Sequence, residues 1–102
     1  MVHVLEDKHQ AIAKLCARFG VVRLDVFGST LREDYRPGQS DLDLLVEFGP
    51  MDPFALADAY FGLREELRGL LGVEVDLVMA DAIKNRYIAR EIERTKQLLY
   101  AA

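Results

Sequence analysis

Apolar residues recur along this chain in two rhythms, and the points where the rhythm changes divide it into elements. Leu5, Ile12, Leu15, Cys16 and Phe19 keep helical spacing, and Gly20 stands where a helix C-terminal glycine is favoured, so a first helix is predicted over residues 4–19. Val22-Arg23-Leu24-Asp25-Val26-Phe27 alternates apolar with polar and then meets Gly28-Ser29, a turn glycine followed by a good N-cap. A strand therefore feeds a short helix at about Thr30 to Asp34. Tyr35-Arg36-Pro37-Gly38-Gln39-Ser40 is turn chemistry, and Leu42 to Phe48 is the next strand, apolar enough to suggest burial on both faces.

Gly49-Pro50 ends that strand, and Asp52-Pro53 supplies an N-cap followed by proline at the first helical position. Leu56, Tyr60, Leu63, Leu67, Leu70 and Leu71 mark one face of a helix closed by Gly72. Val73 to Met79 alternates as a third strand. Asp81 is placed to cap a last helix carrying Ile83, Tyr87, Ile88 and Ile92, with Leu98-Leu99-Tyr100 either finishing it or adding a short edge strand. The order α-β-α-β-α-β-α predicts an α/β (α+β) fold, a three- or four-stranded mixed sheet packed with helices.

Length and composition narrow this further. At 102 residues the chain is expected to form one domain over residues 1–102, with a core that needs neither disulfide nor structural metal. The lone Cys16 rules out an intramolecular disulfide and a Cys-based zinc cluster, and its spacing with Ile12, Leu15 and Phe19 assigns it to the core. No apolar stretch approaches a membrane span and the N-terminus lacks a signal-peptide pattern, so a cytoplasmic protein is expected. A net charge of -4 argues against a general nucleic-acid binder, while leaving room for a local basic site for phosphate.

Two carboxylates change the picture most. Asp41 and Asp43 open the apolar run Ser40-Asp41-Leu42-Asp43-Leu44-Leu45-Val46, and residues two apart in a strand share a face about 6.6 Å from one another. Like charges held there repel unless solvent or a cation lies between them, and a pair of Mg2+ ions about 3.5–4 Å apart fits that spacing. Upstream, Gly28 lets backbone approach a phosphate closely, and Ser29 offers a hydroxyl beside turn N–H groups that bind oxyanions.

Gly28-Ser29-Thr30-Leu31-Arg32 followed by Ser40-Asp41-Leu42-Asp43-Leu44-Leu45-Val46 resembles the Gly-Ser and Asp-x-Asp signature of the DNA polymerase beta-like nucleotidyltransferases. Within that superfamily the chain is most similar to the minimal nucleotidyltransferases, the MntA-like antitoxins of HEPN/MNT toxin–antitoxin systems. The third strand, Val75-Asp76-Leu77-Val78, resembles the family's segment with a third carboxylate. The resemblance implies that Asp41, Asp43 and Asp76 are catalytic metal ligands for two Mg2+ ions, with ATP as co-substrate. Gly28, Ser29 and Arg32 fall to nucleotide binding, Arg32 dividing between triphosphate contact and a structural ion pair. Glu74 shares Asp76's face by alternation, so spacing alone does not separate the two, and the family motif favours Asp76. Leu31 and Glu33 depart from the small residue and glycine usual around that arginine, which affects nucleotide contacts and not the metal ligands.

The same resemblance implies a protein adenylyltransferase antitoxin that moves AMP onto a tyrosine hydroxyl of a HEPN RNase toxin encoded nearby. A single domain of this length is expected to lack a second domain to enclose a small acceptor or grip a nucleic acid, so the acceptor is expected on another protein. Two alternatives stand beside it: an antitoxin that neutralises its toxin by binding alone, and the catalytic subunit of a small-molecule nucleotidyltransferase.

Overall fold

The structure is a computed structural model that describes residues 7–28 and 41–102. Its elements are α1 (His9–Arg18), β1 (Val21–Val26), β2 (Leu42–Phe48), α2 (Pro53–Leu71), β3 (Val75–Met79), a short 3-10 turn (Ala80–Ala82), α3 (Arg86–Thr95) and β4 (Gln97–Ala101). The expected helix at Thr30 to Asp34 and the first residues of the expected helix over 4–19 lie outside the described residues.

The four strands form one mixed sheet in the order β3-β2-β1-β4. β1 runs antiparallel to both β2 and β4, whereas β2 and β3 are parallel and are joined by α2, the crossover that a parallel pair requires. The tail Leu98-Leu99-Tyr100 thus resolves as an edge strand, and the sheet takes the four-stranded form of the expected fold.

One face of the sheet is closed by α1 and α2. Leu24, Val26, Leu42, Leu44 and Val46 are fully buried there against Ile12 and Cys16 of α1 and Leu63 and Leu67 of α2. Each such side chain contributes roughly 1.5–3 kcal/mol by leaving water, which makes this layer the main support of the sheet. Burial pushes the Cys16 thiol up to about 12, so it remains a neutral core side chain.

Local chemistry fixes the helix ends. Asp52 accepts a hydrogen bond from the Ala55 N–H at 2.9 Å with Pro53 just inside α2, and Gly72 closes the helix in the left-handed region at φ 68°. The expectation for the last helix needs correction at its start. Asp81 lies in the 3-10 turn, and Asn85 is the true N-cap, its side chain accepting from the Tyr87 and Ile88 N–H groups at 2.9 and 3.1 Å. Ile83 consequently falls in the connection before α3.

Candidate active site

Register carries the uncovered pattern to the second face of the sheet. Leu24 pairs with Val46 and Val26 with Leu44 on the core side, so the intervening Asp25 and Leu45 share the opposite side. Asp43 belongs to that same face, two residues before Leu45. On the parallel side Asp43 is the register partner of Asp76. Two of the carboxylates singled out in the sequence, thirty-three positions apart, are therefore cross-strand neighbours. Asp41 stands exposed immediately before β2.

Backbone hydrogen bonds pin the start of β2 from both sides. The Phe27 N–H donates to the Asp43 carbonyl at 3.0 Å, and the Leu42 N–H donates to the Glu74 carbonyl at 2.9 Å. The end of β1 and the start of β3 thus meet at the aspartates. Gly28 follows directly with φ 65°, and a Cβ built on it would lie 2.7 Å from Asp43 Oδ2. Only a glycine leaves that carboxylate its place. Ser29 and Arg32 lie outside the described residues.

The electrostatics record the crowding. The Asp76 carboxyl is held above the usual carboxylate range, first by partial burial and then by the negative charges of Asp43 and Asp41, with Arg64 pulling slightly the other way. Glu74 takes a different part: its carboxylate accepts from Arg68 Nη2 at 2.9 Å, so it is engaged with α2. Among the described residues, no group of three or more His, Cys, Asp or Glu side chains is already arranged to hold a metal ion. Mg2+ does not need such a group, since it keeps waters and takes phosphate oxygens beside one or two carboxylates. An all-oxygen donor set with mutual repulsion fits such a hard cation.

A further acidic residue escaped the sequence reading. Asp25 is only 2% exposed, and it accepts from Arg23 Nε at 2.9 Å and Nη2 at 3.2 Å, with Lys96 Nζ at 3.9 Å. Lys96 in turn bonds Glu93 at 2.8 Å. Arg23 at two residues' distance was the available signal for this pair, because alternation puts both on one face. Lys96 comes from the far end of the chain, which no local pattern announces.

Comparison with known proteins places this geometry among others. The model of a nucleotidyltransferase domain matches residues 8–99. A candidate protein adenylyltransferase of Methanocaldococcus jannaschii is 39% identical over 93 residues, covering 91% of this chain and 87% of its own length. The protein adenylyltransferase MntA of Thermococcus cleftensis is 39% identical over 82 residues, 78% of this chain and 79% of its own. Among solved structures, a candidate minimal nucleotidyltransferase superposes with a TM-score of 0.74 at 36% identity, covering 91% and 90% of the two chains. A structure of a tri-AMPylated Shewanella oneidensis HEPN toxin in complex with MNT antitoxin gives a TM-score of 0.64 at 20% identity, over 96% of this chain and 73% of that one, a likeness of fold.

Proposed function

This chain belongs to the nucleotidyltransferase domain family, and from that premise we propose that it is a Mg2+-dependent protein adenylyltransferase antitoxin, moving AMP from ATP to a tyrosine hydroxyl of a HEPN toxin. The observation that carries the reading is the in-register pairing of Asp43 with Asp76 beside Gly28.

In the reaction, the acceptor oxygen forms a bond to the α-phosphorus, the bond from that phosphorus to the bridging oxygen breaks, and pyrophosphate leaves. Asp41, Asp43 and Asp76 would hold two Mg2+ ions. The ions supply charge neutralisation at the triphosphate and acidify the attacking hydroxyl. Asp43, two residues after Asp41 and in register with Asp76, would be shared by the set. Asp76, on the outer strand, is the one to receive the hydroxyl proton. Gly28 keeps Cβ out of the space that Asp43 occupies, and we assign Ser29 and Arg32 to the phosphates. Little else is asked of the protein, because alignment and charge do most of the work of nucleotidyl transfer.

The toxin partner is supported by a relative named protein adenylyltransferase MntA and by the fold shared with a structure of a tri-AMPylated HEPN toxin in complex with MNT antitoxin. Incubating the protein with the product of its neighbouring gene, ATP and Mg2+, then weighing that product intact, tests the reading. A mass gain in whole AMP units, on tyrosine by fragmentation, is expected. It should vanish in a double Asp41→Asn, Asp43→Asn variant, which should also fail to neutralise the toxin in cells. An unmodified neighbour that is still silenced, equally well by the double variant, would replace transfer with simple masking.

A further inference from the structure

The face that carries Asp43 also carries a cavity. α3 crosses over the sheet with Ile92 buried and Ala89 half-buried, and between this helix and the strand residue Leu45 lies a space of about 290 Å3. Its lining is mixed, with Leu45 and its register partner Asp25 on the sheet side and Ile92 and Ala89 on the helix side. Its edge is polar, with Glu47 opposite Arg23 in register.

We propose that this slot receives the adenine of the nucleotide and that Glu47 selects it. The inference rests on the adenylyl-transfer reading and adds the base-recognition element to it. Leu45 stands two residues after Asp43 on the same face, one strand step of about 6.6 Å. That step is comparable to the span of a ribose, so a nucleotide with its α-phosphate at the aspartates reaches the slot with its base. The volume lies near the lower end of the roughly 300–1,000 Å3 usual for ligand pockets, enough for a base and too little for the triphosphate, which stays outside at the carboxylates.

The polar edge matches one base. Adenine offers a 6-amino donor beside the N7 acceptor, whereas guanine offers two acceptors, O6 and N7. An exposed carboxylate accepts from the amino group and repels O6. Glu93 and Lys96 also line the slot, but they are bonded to each other, and that bond to Lys96 holds the Glu93 carboxyl below its ordinary range. Asp25 lines it as well and is held by Arg23, so Glu47 is the carboxylate left to read the base. A site built to hydrogen-bond its ligand discriminates strongly against an analogue that cannot reciprocate.

Two variants test this, each checked for folding by circular dichroism. Ala89→Phe fills the slot from the helix side, and it should raise KM for ATP at least tenfold while leaving KM for the acceptor protein unchanged. Glu47→Gln, whose amide can donate to O6, should cut the ratio of AMP to GMP incorporated from an equimolar mixture about tenfold. Calorimetric titration with ATP and with GTP in Mg2+ supplies a readout that needs no transfer. Should wild type bind ATP in the slot-dependent manner yet transfer nothing, the transfer reading falls and the slot stands. Should wild type transfer AMP while both variants leave KM and the ATP/GTP preference unchanged, the slot falls and transfer stands. A rise in acceptor KM with Ala89→Phe would also overturn the proposal, assigning the space to the acceptor. Absence of any ATP binding by wild type would overturn both.

Discussion

Replacing Asp76 by Asn should make the metal-free protein more stable while destroying its chemistry. Asp43 and Asp76 are register partners on adjacent strands, which sets their backbones about 4.8 Å apart. Two unit charges at that distance repel by about 1 kcal/mol in water and by about 3 kcal/mol at an effective dielectric of 20. Asp76 is exposed, so solvent and salt bring the net effect down to about 0.5–1 kcal/mol. The sign follows from the raised Asp76 pKa. A carboxyl held above its unfolded value weakens the fold as pH rises through the unfolded pKa, and the loss is complete above the folded pKa. Asp76→Asn therefore gains its stability at neutral pH and gains nothing below about pH 3, where the wild-type carboxyl is neutral too. Thermal melts in EDTA at low ionic strength should put the variant a few degrees above wild type, about 2–6 °C for a domain this small. The gap should narrow in high salt and, under the proposed metal role of these carboxylates, narrow or reverse when Mg2+ is added. A variant that melts below wild type at pH 7 in EDTA would refute the reasoning, because repulsion would then not be the dominant charge at this position.

Two other substitutions separate position from charge. Gly28→Ala should cost about 1–2 kcal/mol for a left-handed backbone, measured by urea denaturation, and should lower AMP transfer about 100-fold by displacing the Asp43 carboxylate that its Cβ would meet. The shortfall should respond to Mg2+ concentration, whereas a purely structural loss would not. Asp25→Ala should cost about 1.5–3 kcal/mol by removing the buried acceptor of both Arg23 hydrogen bonds, while Lys96 keeps its bond to Glu93; a loss below about 0.5 kcal/mol by urea denaturation, on the order of a surface substitution, would mean the cluster is better solvated than its burial implies.

How far the sequence revealed these features depended on whether their partners were local. β2 appears over Leu42–Phe48 as its apolar run predicted, and Cys16, Leu63 and Leu67 lie in the core as their helical spacing required. Expected burial of β2 on both faces held only for Leu45, because Asp43 and Glu47 point to the face that α3 leaves partly open. The N-terminus of α3 was misplaced because Asp81 and Asn85 are both sound capping residues. The intervening Ala80–Ala82 turn, which gives the cap to Asn85, depends on where β3 delivers the chain. Asp76 could be grouped with Asp43 only through family resemblance, since nothing in spacing fixes a register across a 19-residue helix. The same was true of choosing it over Glu74, which geometry separates plainly: Glu74 turns to Arg68 before β3 begins.

Backbone hydrogen bonds and strand register hold the segment that carries Asp43 in place, which bears on how variants are interpreted. Asp43 is fixed through its carbonyl, which accepts from Phe27, and through the ladder to β3; Leu42 beside it is fixed through its N–H. None of these bonds involves a carboxylate. The core on the opposite face holds the three strands together whatever the side chains at 43 and 76 carry. Repulsion between the carboxylates is therefore tolerated because the hydrophobic layer of Leu24, Leu42, Leu44 and Val46 outweighs it several times over. Asn at these positions keeps shape and scaffold while removing charge, so a loss of transfer in those variants measures what the charges do and not whether the strands still meet.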